Sequence, residues 1–87
     1  MQKHKFKHNK LPRNITDESG ATTVNIQING ITHLMFDKSK FVGVQSWYVS
    51  KTDCKIEVYL KHYVTIKLEY NSIDKWKAVL AILNEQI

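Results

Sequence analysis

The stretch TTVNIQINGITHLMF (22–36) decides the fold. Apolar side chains alternate on both sides of Asn29-Gly30, with Val24, Ile26 and Ile28 before it and Ile31 and Met35 after it. Alternation of period two sets every second residue on one face of a strand. Asn-Gly is the strongest short hairpin signal, because both central residues of a type I′ turn need positive φ. A hairpin closed there places Ile28 opposite Ile31, Ile26 opposite His33 and Val24 opposite Met35.

Working outward, DKSK (37–40) reads as a polar turn and FVGVQSWYV (41–49) as a third strand. SKTD (50–53) turns the chain into CKIEVYL (54–60), and KHY (61–63) turns it into VTIKLEY (64–70). A three-residue loop at KHY sets Leu60 opposite Val64, Val58 opposite Ile66 and Ile56 opposite Leu68. The same register puts Glu57 opposite Lys67 and Lys55 opposite Glu69, two opposite-charge pairs that support it. KHY lacks the glycine usual in such a loop. The last segment, NSIDKWKAVLAILNEQI (71–87), opens on the capping residues Asn71 and Ser72 and repeats Ile73, Trp76, Leu80, Leu83 and Ile87 at helical spacing.

The expected fold is α+β: a five-stranded antiparallel meander sheet with one C-terminal helix packed on one face. Residues 22–87 make this single domain. Residues 1–21 make a basic N-terminal arm and a polar linker, since NITDESGA (14–21) is polar with a late glycine. The outline resembles, in architecture alone, pleckstrin-like and other modules that end a sheet with a C-terminal helix; no function follows from that.

Carried across five strands, these registers gather Leu34, Phe36, Phe41, Trp47, Val49, Ile56, Val58, Ile66 and Leu68 on the face that seats the helix. Val24, Ile26, Ile28, Ile31, Met35, Val42 and Val44 fall on the other face, with His33 among them, and no element remains to cover them. Three resolutions exist. The first hairpin curls over into a partly closed barrel, the N-terminal segment folds back through Phe6, Leu11 and Ile15, or the patch is an interface. The interface is the leading expectation, because large exposed apolar patches mark contacts and a two-fold dimer is the commonest arrangement.

Charge is unevenly placed. The net charge of +5 rests on thirteen Lys and Arg against eight Asp and Glu. Lys3, Lys5, Lys7, Lys10 and Arg13 supply five of the basic groups within MQKHKFKHNKLPR (1–13), leaving the body formally neutral. The arm is a candidate polyanion contact, of a salt-sensitive and sequence-independent kind. The body is not a nucleic-acid platform, since the lysines near Tyr48 and Tyr59 face glutamates.

No catalytic, cofactor or metal motif stands out. His4 and His8 lack a third ligand. His33 reads as a hydrogen-bonded boundary histidine, and Cys54 as an inert packed thiol. Gly20, Gly30 and Gly43 are too scattered for a phosphate loop. One cysteine excludes a disulfide framework, and no apolar run approaches the ~18 residues a membrane span needs. The expectation is a small cytoplasmic, non-enzymatic protein–protein interaction module, an adaptor, inhibitor or assembly component. It self-associates as a dimer or docks another protein through the apolar sheet face, and takes no cofactor, metal or membrane. Two alternatives stand beside it: a nucleic-acid-associated protein using the arm, and a small anionic-ligand binder formed at a dimer interface.

Overall fold

The computed structural model describes residues 12–87. Six strands and one helix follow in order: β1 (Ile15–Asp17), β2 (Thr23–Ile28), β3 (Ile31–Asp37), β4 (Phe41–Ser50), β5 (Asp53–Leu60), β6 (Val64–Tyr70) and α1 (Ile73–Gln86). They form two three-stranded antiparallel sheets, ordered β1-β2-β3 and β4-β5-β6. The fold is α+β as expected, but the single five-stranded meander is not what forms.

The chain leaves the first sheet at Lys38–Lys40, where it makes a 3-10 turn instead of a hairpin. Lys38 N–H donates back to the Thr22 carbonyl, while the Lys40 carbonyl accepts from Lys61 N–H in the second sheet. The turn is thereby anchored on both sheets, and β3 and β4 are not neighbours in either. Phe36 and Phe41 stack across the break with ring centres 6.1 Å apart.

Two bulges correct the expected faces. In β2–β3, Ile28 pairs with Ile31 and Gln27 with Thr32, but Ile26 then pairs with Leu34 and Val24 with Phe36. His33 is the extra residue. One extra residue reverses the alternation beyond it, so Leu34 and Phe36 join Val24 and Ile26 on the inner face while Met35 turns outward. Facing Leu34 and Phe36 inward is worth about 1.5–3 kcal/mol each. Leaving one residue out of the ladder costs about one hydrogen bond, ~0.5–1.5 kcal/mol. The bulge wins.

β4 repeats the device. Phe41 pairs with Leu60 but Gly43 with Tyr59, leaving Val42 as the extra residue. Val44, Ser46 and Tyr48 then share the inner face with Val58, Ile56 and Cys54, and Gly43, Gln45 and Trp47 share the outer face with Tyr59, Glu57 and Lys55. The placement of Trp47 on the helix side is thus overturned. Another slip, between Tyr48 and Ser50, leaves Val49 unpaired and 73 % exposed. By contrast the β5–β6 register holds pair for pair.

The polar stretch expected to be a linker also contributes a strand. Ile15 pairs with Ile28 and is buried in the core that the helix covers. Helix α1 starts at Ser72, whose hydroxyl accepts Lys75 N–H. It packs against β1, β2, β5 and β6. Its buried line is Ala78, Val79, Ile82 and Leu83, which meet Val24, Ile26, Ile56 and Val58 in one core shared by both sheets. At its start, Trp76 Nε1–H donates to the Lys55 carbonyl at 2.9 Å and meets Tyr48 edge-on. At its end, Gln86 accepts from Lys38 Nζ and donates to Asp17 Oδ2. No helix among the described residues is long and apolar enough to cross a membrane.

Candidate functional site

The eight residues expected to form an apolar interface do not share a surface. Val24 and Ile26 are 0 % exposed, and Ile28 and Val44 are half-buried against the same core. A side chain sealed inside its own subunit offers nothing to a partner, so the uncovered seven-residue face does not exist. Ile31 and Met35 on β3 and Val42 on β4 are exposed, at 71 %, 54 % and 62 %, but the two strands belong to different sheets. Of the basic arm, Arg13 is exposed, while Lys3, Lys5, Lys7 and Lys10 lie outside the described residues.

What the structure brings out is an edge. Each three-stranded sheet has two outer strands, and exposed backbone donors and acceptors on an outer strand are a template for another chain. β1 is three residues long. β3 is bulged at His33 and ends on Asp37, and β6 carries Lys67 and Glu69. β4 is different: it runs ten residues, FVGVQSWYVS, without one charged residue or proline. With 24 % of the chain charged, a strand of that length would ordinarily carry two or three such guards.

Among the described residues β4 pairs only with β5. Between its bulges, Gly43 to Tyr48 pair with β5 without a slip, a straight run of roughly 17 Å at ~3.4 Å per residue. Its outer face presents Gly43, Gln45 and Trp47. Gln45 Oε1 accepts the Tyr59 hydroxyl at 3.1 Å, and the same hydroxyl bonds Glu57. Glu57 thus holds Tyr59, and Lys55 Nζ bonds Asp53 at 3.0 Å, although both keep their cross-strand positions opposite Lys67 and Glu69. Tyr59 is tied down by these bonds, which suits a rigid surface better than a base-stacking platform.

A second feature is a cleft of about 450 Å³ lined by Ile28, His33, Thr52, Asp53, Glu69, Tyr70, Asn71 and Lys75. Freed from the ladder by its bulge, His33 reaches across to the other sheet, and its Nε2 shares a 2.6 Å hydrogen bond with the Tyr70 hydroxyl. Burial, with Lys75 nearby, lowers the His33 pKa below the ordinary imidazole value. Burial raises that of Tyr70. Both effects favour neutral partners, so the pair joins the two sheets as an uncharged latch. Cys54 is fully buried, with its thiol donating to the Ser50 carbonyl. No cluster of three metal-ligating side chains occurs among the described residues.

Sequence reading missed both features for one reason. In a five-strand meander β4 is interior and His33 lies in register, so neither an edge nor a cross-sheet bond arises. The missing charges of FVGVQSWYVS were the available signal for the edge.

The geometry defines a small α+β module with one unguarded edge strand. Searches against protein-family models, curated proteins and solved structures each return no match.

Proposed function

We propose that this protein is a small interaction module that accepts an extended chain along the outer edge of β4, by strand addition. The observation that carries the reading is the ten-residue, charge-free β4, unpaired on its outer side among the described residues. Main-chain hydrogen bonds supply affinity in such complexes, and the side chains alternating on the two faces supply selectivity. Here an incoming strand meets Val44, Ser46 and Tyr48 on one face and Gly43, Gln45 and Trp47 on the other.

The surface differs from the one expected at the outset, while the class of function is the same. Decapeptides displayed on phage and selected against the wild-type protein test it, with Ser46→Lys as the counter-screen. Ser46 is exposed, so a lysine there guards the edge without entering the core. Selected peptides should be rich in β-branched and aromatic residues and should bind the variant at least tenfold more weakly. Peptides that bind both proteins equally would overturn the proposal, as would no enrichment by a chain that stays monomeric.

A further inference from the structure

We infer that the strand added to β4 is β4 of a second copy, antiparallel about a two-fold axis at Gln45. This rests on the edge-strand reading and names its partner. A two-fold contact needs a patch complementary to itself, and β4 has one. In an antiparallel pair centred on Gln45, Gln45 lies opposite Gln45 of the second copy, Gly43 opposite its Trp47, and Val44 opposite its Ser46. Directly opposed Cβ positions sit about 4.5–5.5 Å apart. A Cβ added at Gly43 would meet nothing within 4 Å, so the space above that residue is open. Trp47, on the same face, is the large side chain that would fill it from across the axis, once in each direction. Tryptophan is also enriched among residues that dominate interface energy.

The axis itself is suited to the contact. Gln45 Oε1 is engaged by the Tyr59 hydroxyl, leaving the amide Nε2 hydrogens to donate across to the Gln45 amide of the second copy. Because β4 carries no charge, two copies meet there without repulsion. A pairing centred on Ser46 would set Trp47 against Gln45 and leave Gly43 opposite the unpaired Val49, so the Gln45 register is favoured. The product is a continuous sheet of six strands, ordered β6-β5-β4 and then β4-β5-β6 of the second copy.

Sedimentation equilibrium of the full chain, from about 1 µM to about 1 mM, tests this. A monomer–dimer equilibrium is expected. Gly43→Val should weaken it at least tenfold by occupying the space meant for Trp47. That variant folds, because its Cβ meets open space and Gly43 has no positive φ. Trp47→Ala should weaken it similarly. Gln45→Lys and Gln45→Glu should each be monomeric alone, through like charges facing at the axis, and should form a heterodimer when mixed.

Rescue by mixing at position 46 instead of 45 would overturn the register. A dimer indifferent to Gly43→Val and Trp47→Ala, or lost when residues 1–11 are deleted, would overturn the interface. A chain that stays monomeric yet binds Ser46-sensitive decapeptides would overturn the second copy while leaving strand addition standing. A monomer that selects no peptides would remove both.

Discussion

Hairpin β2–β3 is closed by Asn29 and Gly30 at φ of 55° and 75°, the residue types such a turn favours, yet its ladder slips at His33. Hairpin β5–β6 is closed through His62 and Tyr63 at φ of 68° and 63°. Side chains resist that conformation, yet its seven pairs run without a slip. The turn therefore sets the register only next to itself, and the apolar pattern decides the rest. Around KHY, the three-residue loop already brings Ile56 and Val58 to the same face as Ile66 and Leu68. Around Asn29-Gly30, the two-residue loop sets Val24 and Ile26 out of phase with Leu34 and Phe36. One extra residue restores the phase.

Single-residue deletions break this comparison most severely. Removing Lys67 from the straight hairpin turns Leu68 and Tyr70 out of the core and brings Glu69 in. The two lost burials alone cost about 3–6 kcal/mol, against a total of roughly 4–13 kcal/mol for a chain of this size. That variant should be largely unfolded by circular dichroism. Removing His33 instead deletes the bulge and keeps Leu34 and Phe36 opposite Ile26 and Val24. Its cost is the bond to Tyr70, about 1–3 kcal/mol, and urea unfolding should remain cooperative. Equal damage from the two deletions would refute the account of the bulge.

Next in size is the contrast between strand faces. Ile26→Ala should cost about 2–5 kcal/mol in denaturant unfolding, since the side chain is fully buried. Met35→Ala, on the outer face of the neighbouring strand, should stay within about 0.5 kcal/mol. In the register read from the turn alone, these two residues lie on the same face and would respond alike.

That contrast also marks how far the sequence could be read. The β5–β6 register and the helix beginning at Ser72 depend on spacing within one segment, and both were legible. The bulges were not. Val24, Ile26, Leu34 and Phe36 are all present, but bringing them together requires knowing that the first hairpin folds over a core it shares with the second sheet. Strand β1 rests on Ile15 alone, too short for any alternation to register. The latch between His33 and Tyr70 spans 37 positions and two sheets, and it exists only because the bulge releases His33. The free edge was half legible: FVGVQSWYVS advertises missing charge, but its place at the rim follows from the break at Lys38–Lys40.

A smaller effect concerns the poorly suited turn. Tyr63 is fully exposed and held at φ 63°, a conformation that costs an L side chain about 1–2 kcal/mol. Tyr63→Gly removes that strain and adds backbone freedom to the unfolded chain, a partial offset of about 0.4–1 kcal/mol. The net gain should be up to about 1 kcal/mol, seen as a higher melting temperature. Gly30→Ala should do the reverse, because φ of 75° suits glycine. A melting temperature lowered by Tyr63→Gly would mean that Tyr63 makes a favourable contact the strain argument omits.

The smallest effect is the pH response of the latch. The folded protein holds the His33 pKa below its ordinary value, through burial first and Lys75 second. Below about pH 6.5 the unfolded chain therefore binds more protons at this site than the folded one. The stability this site contributes is complete above that pH and declines as the pH falls toward the folded-state pKa. Tyr70, Lys75, Asp53 and Glu69 line the same cleft. A window from about pH 7.5 to 5.5 spans the ordinary imidazole value, and the comparison with a variant that lacks only this imidazole removes what the other groups contribute. Wild type should lose more melting temperature across that window than His33→Gln, whose amide retains a hydrogen-bonding group but has no charge to gain. Parallel pH profiles for the two proteins would show that His33 titrates alike in the folded and unfolded states, and that the latch is insensitive to protonation.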